Sequence, residues 1–474
     1  MTSSNGQQEN ITNTKTMEII KNYIEANRER FLEELFGLIR IPSVSANESN
    51  KADMVRAAEY IRDLMTANGA DRAEVYTTPG NPIVYGEKLI DSSLPTILVY
   101  GHYDVMPAEP LEKWISPAFE PEIRDGKIWA RGADDDKGQL FMHLKAFEMM
   151  NATGTLPCNV KFMIEGEEEA GSASIAGFCS EYHEMLRSDV ILVSDTTMIS
   201  SDIPSITSGL RGLSYIQIEV EGPDRDLHSG IYGGAVVNPC NALCDIISSL
   251  KDSDGRINIP GFYDTVMVPT DAERAKMAER PFDAAEYKKS VGVDALSGEK
   301  GFTTLESVGI RPTLDVNGIW GGYTGEGAKT ILPAKAAAKI SMRLVPYQKA
   351  EDIAKLAIDH IKSIAPAGVK VKAEYLHGGE AYVSPLDTPE YRAAEMAYEE
   401  IFGKRPIPIR SGGSIPIIST FEKILGVKSI LMGFGLESDA IHSPNENYPL
   451  ENLFAGMRAI PLYYRYYTEL KRQG

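Results

Sequence analysis

Hydrophobic and polar positions change their spacing along this chain, and the change divides it into parts. Residues 17–40 and 51–68 read as helices, the first stopped by Pro42 and the second ended by Gly69. Short unbroken apolar runs follow at 96–100 (T-I-L-V-Y), 159–164, 189–193 and 429–432, with a helix predicted at about 137–150. Continuous apolar runs alternating with helices predict strands buried on both faces of a mostly parallel sheet, an α/β domain.

The middle third has a different pattern. Residues 212–221 (G-L-S-Y-I-Q-I-E-V-E) alternate apolar and polar, as a half-solvated strand does. A helix is predicted at 239–250, strands at 311–319 and 336–345, a helix at 350–364 and a strand at 369–375. The order β-α-β-β-α-β predicts a ferredoxin-like unit with helices on one sheet face and the other free for a partner or solvent. Residues 253–307 are charged and read as a long irregular insertion. The expected architecture is therefore a small α+β domain at 208–380, inserted into a larger α/β domain made of 1–207 and 381–474.

Charge and composition narrow the function classes. Asp and Glu number 67 against 48 Lys and Arg, a formal net charge of −19, which argues against non-specific nucleic-acid binding and against an anionic membrane surface. With 43% hydrophobic residues the chain is not disordered. It contains no run of about 18 apolar residues that would span a membrane. The four Cys follow no disulfide framework, which predicts a reducing compartment and a cytoplasmic protein. Cys240 and Cys244, four apart on a predicted helix, have no partner pair and read as buried thiols. Residues 1–16 are polar, without the basic start and apolar core of a signal peptide, and read as a loose tail.

The candidate chemistry lies at strand ends. His102 and Asp104 follow the first apolar run in G-H-Y-D. In open α/β sheets ligands bind off the carboxyl ends of strands, and an Asp beside a ligating His can accept its second N–H. Residues 131–138 read R-G-A-D-D-D-K-G, and 165–172, directly after another run, read E-G-E-E-E-A-G-S. Asp195 ends V-I-L-V-S, and His442 lies in D-A-I-H-S-P-N-E. Any one of these reads equally as a solvated turn. Scattered surface charge has no reason to recur at four or five strand ends. Two His with several carboxylates suit Zn²⁺ or Mn²⁺ better than Mg²⁺, and their number fits two metals sharing a bridging carboxylate.

These motifs, together with D-L-H-S-G-I-Y-G-G, A-K-T-I-L-P, S-M-R-L-V-P and S-G-G-S-I-P, resemble those of the dinuclear-metal peptidase family. That family includes carboxypeptidase G, aminoacylase, succinyl-diaminopimelate desuccinylase and the carnosine and cytosolic nonspecific dipeptidases; the dipeptidase branch is the nearest. The resemblance spans roughly residues 41–447. It implies a zinc-peptidase-like catalytic domain with an inserted lid or dimerisation domain, and two divalent ions, Zn²⁺ or Mn²⁺, per subunit. It implies that His102 and His442 each bind one metal, that Asp135 bridges them, and that Glu169 and Asp195 complete the two sets. Asp134 is read as a non-ligand. Glu168 would be the general base, with Asp104 also in the catalytic group. Glu165 and Glu167 are not required by the family pattern. His228 would donate to the oxyanion, across a homodimer interface formed by the inserted domain. Arg343 would grip a substrate carboxylate, and Thr330 and Ser414 would contact substrate. A cis peptide is implied after Asp135. His143, His183, His360 and His377 match no ligand motif. The expected activity is hydrolysis of dipeptides or short peptides with a free C-terminus. The alternatives are an N-acyl amino-acid amidohydrolase, with the same site chemistry, and a non-catalytic binding protein, which would have lost Glu168 or a ligand.

Overall fold

In a computed structural model, which describes residues 3–413 and 415–473, the four apolar runs become the centre of one sheet. Seven of its nine strands lie in the order Arg72–Tyr76, Ile83–Lys88, Asn159–Glu165, Thr96–His102, Val190–Val193, Ser429–Leu431 and Ser205–Leu210. The middle four are mutually parallel, and the flanking pairs are antiparallel. The parallel centre points its carboxyl ends to one edge, with His102 beside Glu165 and Tyr100 beside Val193 in register.

This sheet belongs to a unit that runs to Ser208 and resumes over Ser384–Pro408 and from Thr420 onward. Helix Lys137–Thr153 is its central strut. Every residue from Lys137 to Met150 is buried, which an amphipathic helix on a surface would not show. Helix Leu450–Gln473 packs on it, as does helix Ser3–Ile39. That first helix differs from expectation: its backbone is helical from Ser3, where a loose tail over 1–16 was predicted. No proline interrupts the chain before Pro42, so a helix already nucleated can propagate toward the N-terminus.

The second unit comprises Gly209–Val383 with Ile409–Ser419. Four antiparallel strands lie in the order Thr313–Gly321, Lys335–Leu344, Gly212–Glu221, Lys370–Gly379. With helices Pro239–Ser249 and Ala350–Ser363 the chain order is β-α-β-β-α-β, the ferredoxin-like arrangement. Gly212–Glu221 alternates buried and half-buried positions without a break. Ile216, Ile218 and Val220 pack with Leu243, Ile246, Ile353 and Ala357 of the two helices. Two expectations differ. Residues 253–307 are not wholly irregular, since they hold short helices Asp271–Met277 and Ala284–Val291 and the start of Thr304–Gly309. Cys240 is half-buried and Cys244 exposed, because Ala242, Leu243 and Ile246 take the inner face of their helix.

The start of helix Lys137–Thr153 tolerates no side chain at Gly138. A Cβ there would lie 1.9 Å from the backbone oxygen of Ala133 and 3.0 Å from the Tyr448 ring. Gly138→Ala is expected to destabilise this unit by about 1–3 kcal/mol through overpacking. Gly177→Ala, where nothing lies within 4 Å, should leave it unchanged or slightly more stable. Thermal midpoints of the two variants decide; equal midpoints would contradict the packing argument.

Candidate metal centre

Each loop that leaves the parallel sheet edge carries one of the sequence-marked side chains. His102 ends strand Thr96–His102, with its Nε2 3.1 Å from Asp135 Oδ1 and 3.8 Å from Asp195 Oδ2. His442 Nε2 lies 2.9 Å from Asp135 Oδ2 and 3.1 Å from Glu169 Oε2. Two triads result, His102–Asp135–Asp195 and Asp135–Glu169–His442, each with ligand atoms within 4.8 Å of one another. They share Asp135, whose two oxygens face different histidines. Imidazole nitrogen and carboxylate oxygen are the donors that first-row divalent cations favour. His102 Nε2 is buried and has no well-aligned hydrogen bond, although a carboxylate oxygen is within reach. This is the placement expected of a nitrogen that shares a cation with its neighbour, and the residues fit a dinuclear metal group. The Asp135–Asp136 peptide is cis.

Other carboxylates hold the loops in place by accepting backbone N–H bonds. Asp104 was expected to orient His102 through its side chain. The nearer acceptor to His102 Nδ1 is instead the Asp104 carbonyl, at 3.0 Å against 3.4 Å for Oδ1. That bond places the proton on Nδ1 and leaves the Nε2 lone pair for a ligand. The Asp104 carboxylate accepts from the N–H groups of Glu168 at 3.2 Å and Glu169 at 3.0 Å, and so fixes their loop. Asp136 stands at the N-terminus of helix Lys137–Thr153 yet makes no side-chain cap; its Oδ2 accepts from His102 N at 3.1 Å. Glu167 accepts from Asn81 N and Ser174 N, both at 2.9 Å. Glu165 accepts from the hydroxyls of Tyr100, at 2.6 Å, and Ser172, at 3.0 Å. His143, which matched no motif, donates from Nε2 to Ser194 Oγ at 2.8 Å, directly before Asp195. The sequence did not mark Asp136, Glu167 or His143, because their partners are backbone or hydroxyl groups distant in the chain.

Burial governs the protonation of this cluster. It pushes Glu168 up to about 7; His102 opposes the rise, and Asp135 and Glu169 add to it. Burial likewise takes Asp136 and Glu165 each up to about 8 and Asp195 well above the carboxylate range. Asp135 goes the other way: burial would raise it, but the imidazoles of His102 and His442, one beside each of its oxygens, hold it below the usual range. Asp135 and Glu169 raise His442 to about 10. Without metal His442 thus stays protonated near neutrality, and a cation bound there must displace that proton. His442 is presented from a loop in which Ala440, His442 and Asn445 have φ of +57°, +61° and +65°. The left-handed region disfavours Ala most among these, and such strain persists only where surrounding contacts impose it.

The residues that the sequence marks as substrate contacts come from the second unit. His228 is exposed, and its Nδ1 accepts from Gly230 N at 3.0 Å, which leaves Nε2 as the protonated nitrogen. Thr330 is drawn beside it, since His228 pairs with Ile331 and Ser229 N donates to the Thr330 carbonyl at 3.1 Å. Arg343 is half-buried on strand Lys335–Leu344, opposite Leu213 and Thr313. Burial lowers its pKa and Asp315 opposes that. Ser414 lies outside the described residues.

Known proteins resemble this chain over nearly its whole length. The Cys-Gly metallodipeptidase DUG1 of Candida albicans is 35% identical over 466 residues, covering 94% of this chain and 96% of its own. The solved dipeptidase Dug1p of Saccharomyces cerevisiae superimposes with a TM-score of 0.81 at 31% identity, covering 96% and 98% of the two chains. The M20 family metallo-carboxypeptidase Sso-CP2 of Sulfolobus solfataricus gives 0.83 at 30% identity, covering 93% and 99%. Residues 98–464 match the model of peptidase family M20/M25/M40, and with the metal-ligand triads at the sheet edge this chain belongs to that family.

Proposed function

We propose that this chain is a metallodipeptidase, hydrolysing the peptide bond of dipeptides or short peptides with a free C-terminal carboxylate. The observation that carries the reading is Asp135, one carboxylate whose two oxygens face two histidine-containing triads. The names of the relatives, Cys-Gly metallodipeptidase and beta-Ala-His dipeptidase, support the substrate class. Among the described residues no helix is long and apolar enough to cross a membrane, which accords with a cytoplasmic enzyme.

His102, Asp135 and Asp195 would hold one divalent ion, and Asp135, Glu169 and His442 the other, as Zn²⁺ or Mn²⁺. Such a pair supplies a water of lowered pKa and polarises the scissile carbonyl. Glu168 takes the proton of the attacking water and passes it to the leaving amine. Asp104 keeps Glu168 in place through its backbone N–H. Arg343 presents a guanidinium fork to the substrate carboxylate, with Thr330 and Ser414 as further contacts. His228, with Nε2–H exposed, donates to the oxyanion of a partner subunit's substrate. A homodimer through the second unit is supported by the edge strand Thr313–Gly321, where Val316, Ile319 and Trp320 are 38%, 55% and 48% exposed.

Purified protein should carry two equivalents of Zn²⁺ or Mn²⁺, hydrolyse a dipeptide panel and lose that activity to a chelator. Turnover confined to N-acetyl or N-succinyl amino acids would sink the dipeptidase reading. Glu168→Gln should lower kcat about 10²–10⁴-fold while both metals stay bound, as metal analysis would report; near-normal turnover would remove Glu168 as the base. Mixing His228→Ala chains with Glu168→Ala chains should restore part of the activity in heterodimers. No recovery, with subunit exchange confirmed, would place His228 outside any shared site.

A further inference from the structure

One fully buried carboxylate near the metal centre belongs to neither triad and to none of the roles assigned so far. Glu446 is 0% exposed and lies four residues after His442. Its Oε2 accepts from Arg131 Nη1 at 2.7 Å and from Gly132 N at 3.0 Å. Its Oε1 accepts from Asp134 N at 3.0 Å and from Asp135 N at 3.1 Å. Both oxygens are therefore saturated, and all four donors come from residues 131–135. The Glu446 carbonyl also accepts from Ala130 N at 3.1 Å, and the next residues, Asn447–Pro449, pair with strand Lys127–Trp129. Arg131, itself 1% exposed, is held in turn by the Pro107 carbonyl at 3.1 Å. Successive backbone N–H groups converging on one anion form the concavity known as a nest, and φ of +80° at Gly132 allows the turn that makes it. Here the anion is the protein's own side chain.

We propose that Glu446 is a positioning residue for the metal pair: it locks the Asp135 loop to the His442 loop, and so sets the affinity for the ion those two residues share. The proposal rests on reading Asp135 and His442 as metal ligands. Geometry explains why a carboxylate is needed. Asp135 must present one oxygen to each histidine, which fixes its side chain against both loops at once. Its own backbone N–H, and that of the preceding residue, end on Glu446 Oε1. A group that rotates or retracts there releases the peptide from which Asp135 projects. Glutamine is a demanding substitution because its amide nitrogen, in place of one oxygen, turns N–H groups toward two of the four donors. Outer groups that orient metal ligands typically govern affinity by about 10–100-fold.

The test uses the full chain, stripped of metal by dialysis against chelator and then titrated with Zn²⁺ in competition with a chromophoric chelator. Wild type is expected to take up two Zn²⁺. Glu446→Gln should bind one of its two Zn²⁺, the ion assigned to Asp135 and His442, about 10–100-fold less tightly. Its dipeptide turnover should fall at limiting Zn²⁺ and recover as Zn²⁺ is raised, with KM little changed. A variant damaged only in folding would not recover in that way. Two Zn²⁺ bound by Glu446→Gln with wild-type affinity overturns the proposal. If the Gln variant does not fold, Glu446→Asp decides, since it keeps the charge but withdraws it by one methylene. Weakened Zn²⁺ affinity in that variant supports the role, and unchanged affinity overturns it. Wild type that binds no Zn²⁺ removes the dinuclear reading itself, a failure separate from a well-bound pair insensitive to Glu446.

Discussion

Withholding water from a crowd of carboxylates at one sheet edge is the constraint on which the catalytic unit depends. Asp135, Asp195, Glu168 and Glu169 meet there, with Asp104, Asp136 and Glu165 behind them, and most are buried. An ionised carboxylate taken out of water costs several kcal/mol unless it is compensated. Three kinds of compensation are present. Backbone N–H groups are aimed at the carboxylates, burial raises the pKa of Glu168, Asp136 and Glu165 while His442 stays protonated, and two His–carboxylate triads could each hold a divalent cation. The parallel strands make this possible because their carboxyl ends open together. The buried helix that begins at Lys137 adds its positive end directly behind Asp135 and Asp136.

The same carboxylates replace the regular hydrogen bonding that loops lack. Metal ligands on loops are ordinarily less well fixed than ligands on strands or helices. Here the Glu168–Glu169 backbone is tied to Asp104, the His102 backbone to Asp136 and the loop after Glu165 to Glu167. Asp104 and Asp136, outside both triads, each hold the backbone of a residue that belongs to one. A change such as Asp136→Ala, at a residue outside both triads, would therefore be felt at His102 through its peptide rather than through its ring.

Much of this was legible because two signals are local. Apolar runs of four to six residues marked the four parallel strands within about two residues, and the βαββαβ order followed from where alternation replaced continuous runs. The ligand types stood out because His is rare in the chain and carboxylates recur at strand ends. Flanking strands Arg72–Tyr76 and Ile83–Lys88 carry weaker patterns, interrupted by Gly86 and ended by charge, so they emerge only from pairing with Asn159–Glu165. Helix Leu450–Gln473 contains Pro461 and a run of tyrosines, which obscure its period. The Asp104 carboxylate was read from its spacing to His102, whereas its partners are the peptides of Glu168 and Glu169. Contacts to backbone leave no trace in residue type, and this is why the supporting acids looked like surplus charge.

The two histidines differ in how they meet solvent. The side chain of His102 is 1% exposed, whereas that of His442 is 49% exposed on a left-handed loop. As ligands of the proposed pair the two imidazoles would be unequal in access although they share Asp135: a chelator or a water molecule arriving from solvent would reach His442 before His102.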